Sequence, residues 1–414
     1  MESQEKLVAR PEYLAQMISF KEKPLIKVVT GIRRCGKSKL MELYQRYLLE
    51  NGVEPRQIVA VNLELLKFAE LKDYMALYNY ITERLCKDKF TYVFIDEVQE
   101  CKEFERVVDS LHITKNVDVY VTGSNAKILS GELATLISGR YITIKMLPLS
   151  FKEYVEGVKL FSPNNEPLFS HEYFKDYVRF SSFPLVLQLE NDDKQIREYL
   201  DGLYTTIFKK DMIERYKIKD EAVLEAVTRF VYDNIGNVLS PKKISDTLTS
   251  GGRKTTQPTV EKYISYLIES FMVHEVTRYD IKGKQHLKSL SKYYVADIGL
   301  RNYLLGYKDT DRGHILENVI YLELLRRGYK VQVGKVGDTE VDFVATKQYK
   351  TIYIQVAESI VEKSTFIREL APLKAIKDFH ARVLITNDYD INENYDGIRH
   401  LNTYDFLLGK VDIE

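Results

Sequence analysis

The most constraining feature of this 414-residue chain is one junction. The short β-branched run LIKVVT (25–30) passes straight into GIRRCGKS (31–38), and a helical pattern with Leu40, Leu43, Tyr47 and Leu48 follows. A continuous apolar run of this length suits a strand buried on both faces. The octapeptide fits G-x-x-x-x-G-K-[ST] in full, a loop whose glycines turn backbone N–H groups inward around phosphate oxygens. The helix start adds the positive end of its dipole. Gly31, Ile32, Arg33, Arg34, Cys35, Gly36, Lys37, Ser38 and Lys39 are therefore expected to cradle a nucleotide. Lys37 would reach the β- and γ-phosphates, and Ser38 would offer its hydroxyl to Mg²⁺.

Further strands are expected at QIVAVNL (57–63), TYVFID (91–96), VDVYVTGS (117–124) and YITIKML (141–147). Helices are expected across Leu71 to Leu85 and around Ala126 to Ile137. Five strands separated by helices read as a parallel α/β sheet. The third strand ends in Asp96-Glu97, two carboxylates at the edge where open α/β sheets bind ligands. Asp96 would hold Mg²⁺ through water, and Glu97 would orient and polarise an attacking water. The next strand ends in Ser124 and Asn125, which either sense the γ-phosphate or cap the following helix. Arg140 is either a surface side chain or a guanidinium that stabilises phosphoryl charge in a neighbouring subunit's site.

Charge narrows the partners. Sixty Lys and Arg balance sixty Asp and Glu, so the chain is no wholesale polyanion binder and any nucleic-acid surface must be local. Met1 to Tyr13 is polar and predicts no secretory signal, and no run of about 18 apolar residues predicts a membrane span. Three cysteines, Cys35, Cys86 and Cys101, without CxxC spacing argue against a disulfide scaffold or zinc site and for a reducing, cytoplasmic setting.

After Phe151 the pattern turns to helices rich in Tyr, Phe and Leu. From about Glu221 the order is helix, Ser240-Pro241 cap, short helix, SGGRKTTQPT turn, helix Val260–Ser270, then two strands around Gly283, the order of a winged helix. Between Thr277 and Lys292 five cations (Arg278, Lys282, Lys284, Lys288, Lys292) face one Asp280. Lys242, Lys243, Arg253, Lys254, Lys282, Lys284 and Lys288 are the candidate phosphate contacts, with Thr255, Thr256 and Gln257 beside them. The alternative is a solvated hairpin or a protein-binding module.

The set GIRRCGKS, FIDEVQE, VTGSN, SGRY and PLSFKEY resembles the AAA-type P-loop ATPases of bacteria and archaea that carry a C-terminal domain of unknown function. The resemblance covers nearly the whole chain. It implies a P-loop core over 1–160, a helical lid over 161–216 and a winged helix over 217–305. It puts ATP and Mg²⁺ at Lys37, Ser38, Asp96 and Glu97, and a finger at Arg140. Related signalling ATPases carry Gly-x-Pro in the lid, touching nucleotide. Here it reads Ser182-Phe183-Pro184, with the proline kept. Arg10, Pro11 and Tyr13 either line the adenine side or staple onto the core.

Residues 306–414 resemble a restriction-endonuclease-like α/β fold. Glu317, Asp342 and Gln355 fall where such folds place Glu, Asp and Glu-x-Lys, but Gln355 is neutral and Ala357 replaces the lysine. Glu340 and Glu358 are nearby acids, and Lys347 or Lys363 would be needed to supply the missing amine. Metal-assisted cleavage needs both charges, so this domain is expected to be inactive. The expectation is an ATP-hydrolysing switch whose C-terminal half contacts DNA, oligomeric if Arg140 acts between subunits. The rivals are a signalling ATPase with a protein partner and an ATP-dependent nuclease.

Overall fold

The structure is a computed structural model. It describes residues 6–126, 139–162, 168–189, 192–283, 285–286, 290–307, 311–389 and 394–414. All of the expected helix after Ala126, and the candidate contacts Lys284 and Lys288, lie outside the described residues. The chain divides into two compact units, Met1–Pro148 with Glu269–Phe271, and Leu149–Ile268 with Met272–Glu414.

The first unit is built on five parallel strands, β1 (Ile26–Thr30), β2 (Ile58–Asn62), β3 (Thr91–Asp96), β4 (Val117–Gly123) and β5 (Tyr141–Lys145), in the order β2-β3-β4-β1-β5. Every residue of β1 and β3 is buried, as a strand covered on both faces requires. One of them is a lysine: Lys27 Nζ meets the equally buried Asp118 on β4. Tyr120 Oη donates to the same carboxylate at 2.8 Å, so the charges are paired and hydrogen-bonded rather than stranded.

Helix Lys37–Glu50 follows the Gly31–Ser38 loop and turns Leu40, Met41, Tyr44 and Leu48 into the core. The single helix expected across Leu71 to Leu85 is instead a 3₁₀ turn, Leu66–Lys72, and a helix, Tyr74–Thr82. Asp73 makes the break. Its extended backbone (φ −83°, ψ 132°) lets its carboxylate accept from Ala76 N at 3.0 Å, an N-cap inside the apparent period.

In the second unit, helices Phe151–Phe161, Ser170–Arg179 and Asp193–Thr206 come first, the last running into a π-helical stretch, Ile207–Glu214. Helix Glu221–Asp233, β6 (Val238–Leu239), helix Pro241–Ser250, helix Gln257–Glu269, β7 (Val273–Val276) and, later, β10 (Ser291–Val295) make a bundle on the antiparallel sheet β6-β10-β7. Ser240 caps its helix by accepting from Lys243 N at 3.0 Å.

The expected pair of strands around Gly283 divides between two sheets. β8 (Arg278–Asp280) and β9 (Gln285–His286) form a hairpin at the turn, but β8 runs parallel to β11 (Lys330–Val336) and joins the C-terminal sheet. The chain bends at Thr277, whose carbonyl accepts from Val333 N at 3.0 Å. That sheet has the order β15-β16-β14-β13-β12-β11-β8-β9, with β12 (Thr339–Lys347), β13 (Lys350–Ala357), β14 (Ala381–Thr386), β15 (Asn394–Tyr395) and β16 (Ile398–Asn402). Helix Arg312–Arg326, with ten consecutive residues buried, packs on it, as does helix Lys363–Ala375.

Candidate nucleotide site and the acidic cluster of the second unit

The Gly31–Ser38 loop leaves the C-terminal end of β1, next to the tips of β4 and β5. Gly31 has no room for a side chain: a Cβ there would lie 2.1 Å from Met146 O. Gly36 has φ 107°, a conformation that L side chains rarely adopt. Lys37 is buried across the loop, its Nζ 3.1 Å from Gly31 O, 3.3 Å from Ile32 O and 3.6 Å from Glu97 Oε1. Arg33 reaches Glu64 at 3.0 Å and Lys39 pairs with Glu42 at 3.1 Å, while Arg34 is exposed.

The two carboxylates sit beside this loop. Asp96 Oδ2 accepts from Asn62 Nδ2 at 2.8 Å across the β2–β3 register, and Oδ1 accepts from Thr122 Oγ1. Thr122 Oγ1 in turn accepts from Glu97 N at 2.9 Å, so one hydroxyl on β4 fixes both acids. Glu97 has φ 51°, left-handed for a non-glycine residue, a strained geometry typical of functional turns. Burial pushes the Asp96 carboxyl above its ordinary range, opposed by hydrogen bonds from Thr122 and Ser38. Burial works against Glu97 too, yet the Lys37 charge and the Gln99 amide outweigh it and hold its pKa below the usual value. Ser38 and Asp96 thus bring two hard oxygens together, a donor set that fits Mg²⁺ completed by water and phosphate. Glu97 stays ionised, as a water-polarising base must.

Thr122, Asn62 and Gln99 are not among the site residues that the sequence points to; the parallel sheet brings Asn62 and Thr122 to the carboxylates, and the 3₁₀ turn Val98–Glu100 brings Gln99. Ser124 and Asn125 are both buried at the tip of β4. Arg140 precedes β5, at the opposite end of the sheet from the loop, where it pairs with Asp109 at 3.0 Å and is half exposed. Pro184 belongs to the second unit, and the Ser181-Ser182 segment before it is held by Asp297: Ser182 N donates at 2.7 Å and its hydroxyl at 2.6 Å.

The nuclease-like triplet also comes together, with an unforeseen member. Glu317 lies buried in helix Arg312–Arg326, and Lys292 Nζ on β10 is 3.0 Å from its Oε1 and 2.5 Å from Glu340 Oε1. Tyr294 Oη donates to the same Glu317 oxygen, and His314 Nδ1 stands 3.7 Å from the other. Asp342 Oδ2 accepts from Val356 N at 2.9 Å, while Gln355 Nε2 donates to Glu369 at 2.9 Å. Desolvation opposes the Glu317 charge but Lys292 holds it ionised; Asp342, desolvated beside Glu317, is pushed well up. Lys347, one of the two amines that could replace the missing lysine, lies over the Tyr329 ring instead. Lys292, counted among the cations of the hairpin, is buried here and out of a polyanion's reach. Among the described residues no group of three or more His, Cys, Asp and Glu is arranged to hold a metal.

Lys242, Lys243, Arg253, Lys254 and Lys282 are all exposed. No described helix is long and apolar enough to cross a membrane.

The strand order, the phosphate loop and the Asp-Glu tip define a P-loop ATPase of the AAA type. A family described as an AAA domain matches residues 23–155, and a domain of unknown function matches 171–311. The chain belongs to the same family as an uncharacterised protein of Haemophilus influenzae, to which it is 37% identical over 97% of this chain and 99% of that one. An uncharacterised protein of Methanocaldococcus jannaschii is 30% identical over 85% of this chain and 79% of its own. Among solved structures, a Walker-type ATPase of Pyrococcus abyssi shares the fold, with a TM-score of 0.51 at 18% identity over 73% of this chain and 97% of that one.

Proposed function

We propose that the protein is an ATP-driven switch: it binds ATP with Mg²⁺, hydrolyses it, and uses residues 217–414 to engage DNA. The observation that carries the ATP reading is the Lys37–Glu97–Thr122–Asp96 constellation beside a complete phosphate loop. When bound, Mg²⁺ would neutralise charge on the phosphates. Ser38 and Asp96 are the residues to hold it. Lys37 leaves the loop carbonyls and Glu97 to meet the phosphates. Glu97, released from that partner and so more basic, takes up the proton of the attacking water. Thr122 keeps Glu97 and Asp96 in register.

The three helices and the β6-β10-β7 sheet support reading 217–305 as a winged helix, with 161–216 as a lid and 306–414 as a nuclease-like fold without cleavage. Five exposed cations on helix Pro241–Ser250, the turn after it and the β8–β9 turn support an electrostatic DNA contact. Neutral Gln355, engaged with Glu369, and the lack of a metal-holding group among the described residues support the absence of nuclease chemistry. Three free cysteines support a reducing, cytoplasmic setting. The test is the steady-state ATPase rate with and without duplex and branched DNA. A rate that responds to DNA in wild type and is absent in Glu97→Gln supports the switch; a DNA-indifferent rate with no DNA retention points to a protein partner instead.

A further inference from the structure

Arg10 is buried in the first unit, yet it belongs to none of the groups above. Its Nη1 donates to Cys35 O at 3.1 Å, and its Nη2 donates to Leu147 O at 2.7 Å and Pro148 O at 3.5 Å. The guanidinium lies 4.9 Å from the centre of the Tyr13 ring, and Tyr13 Oη accepts from Leu147 N at 3.1 Å. One planar cation therefore ties the phosphate loop to the chain leaving β5. Cys35 Sγ and the Gly31 backbone close on Met146 O at the same place.

The carbonyl it grips is the informative one. Cys35 and Gly36 share a peptide group, and a trans peptide points its C=O and N–H in opposite directions. Fixing Cys35 O on the guanidinium therefore fixes the Gly36 N–H on the other side. That N–H belongs to the last glycine of the loop, immediately before Lys37. A charged donor on the carbonyl also polarises the amide and makes its N–H a stronger donor. Gly36, at φ 107°, has no side chain to hold its orientation, and glycine surrenders more freedom on ordering than any other residue.

We infer that Arg10 is a positioning residue of the ATP site: it presets the Gly36 N–H for a phosphate oxygen by holding the opposite end of the same peptide. The inference rests on the ATP reading of the loop. A guanidinium can serve Cys35 and Leu147 together because its donors form a fixed fork; a lysine ammonium would keep the charge and reach fewer acceptors.

The experiment is steady-state ATPase kinetics with Mg²⁺-ATP on the full chain, comparing wild type, Arg10→Lys, Arg10→Ala and Lys37→Ala. Circular dichroism checks that each is folded. Arg10→Ala should raise KM for ATP about tenfold or more with kcat little changed, since the lost interaction acts on phosphate binding in ground and transition states alike. Arg10→Lys should fall between the two, and millimolar methylguanidinium should lower the KM of Arg10→Ala while leaving wild type and Lys37→Ala unaffected. A purely structural arginine would shift melting temperature without this split or this rescue. Wild-type KM in folded Arg10→Ala overturns the inference, as does a raised KM that neither lysine nor methylguanidinium lowers. Should the alanine variant fail to fold, the KM of Arg10→Lys decides: an unchanged value overturns the role. Failure of the ATP reading looks different, because wild type itself would then neither turn over nor bind ATP.

Discussion

Glu97 carries the proposed chemistry on an unfavourable backbone. A left-handed glutamate costs about 1 kcal/mol or more, and it persists because Thr122 holds its N–H and Gln99 and Lys37 hold its carboxylate. Glu97→Gln should therefore bind ATP as well as wild type and lose turnover by about 10²-fold or more, since an amide takes up no proton. Equilibrium binding and single-turnover hydrolysis measured on the same preparation check this; turnover at the wild-type rate would remove Glu97 from the base role. Thr122→Val keeps the shape of the side chain but releases both acids, and should lower kcat with a smaller effect on ATP affinity. Lys37→Ala should do the reverse and weaken nucleotide binding first.

At the level of elements, the most consequential contact is that of β10 with helix Arg312–Arg326. Lys292 pairs with buried Glu317 and with partly exposed Glu340, and removing the lysine leaves Glu317 buried without its counter-charge. Lys292→Met should cost about 3–5 kcal/mol, read as a fall in the denaturation midpoint. The pH dependence should shift as well. In wild type Glu317 is held below its ordinary value of 4.5, so its contribution is present above that pH and lost as pH falls through the lower, folded value. Without the lysine, the largest influence holding Glu317 down is gone and its folded pKa rises, so the variant should gain more stability than wild type on acidification from about pH 7 to about pH 5. Parallel slopes for the two proteins over that range would contradict the arrangement. The same cluster predicts that Mg²⁺ or Mn²⁺ with single-stranded, duplex or four-way DNA yields no strand cutting. Cutting by wild type that disappears in Asp342→Ala would overturn the inactive reading.

For the molecule as a whole, partners and assembly follow from where its cations stand. If the exposed cations of the second unit neutralise phosphates, replacing Lys242, Lys243 and Lys282 by Ala should weaken DNA binding and flatten its salt dependence. The slope should fall by roughly one counterion for each phosphate left unneutralised. An unchanged salt slope would favour a protein partner. Arg140 lies at the far end of its own sheet from the phosphate loop, so a finger role requires a second copy of the chain. Mixing Arg140→Ala with Lys37→Ala protein should then restore part of the turnover, and specific activity should rise with protein concentration. No rescue and a concentration-independent rate would leave Arg140 as the partner of Asp109 alone.

What the sequence determined by itself was whatever depends on local order: a strand, a glycine-rich turn and a helix start in succession, and an acidic pair closing a later strand. These are short-range facts, because a loop of eight residues and the tip of a single strand carry their own backbone preferences. A helix start was legible where its cap stood outside the helical period, as at Ser240-Pro241, and hidden at Asp73, where the cap fell within such a run. The tertiary structure decided which distant groups meet. Strand register put Asn62 opposite Asp96 and Thr122 beside both carboxylates, and no spacing in the chain encodes that pairing. Packing drew Arg10 onto Cys35 across 25 residues and Lys292 onto Glu317 and Glu340. The bend at Thr277 gave the hairpin to another sheet. A buried charge must find its counter-charge or its carbonyls wherever the fold brings them, since desolvation without a partner costs more than any local preference can return.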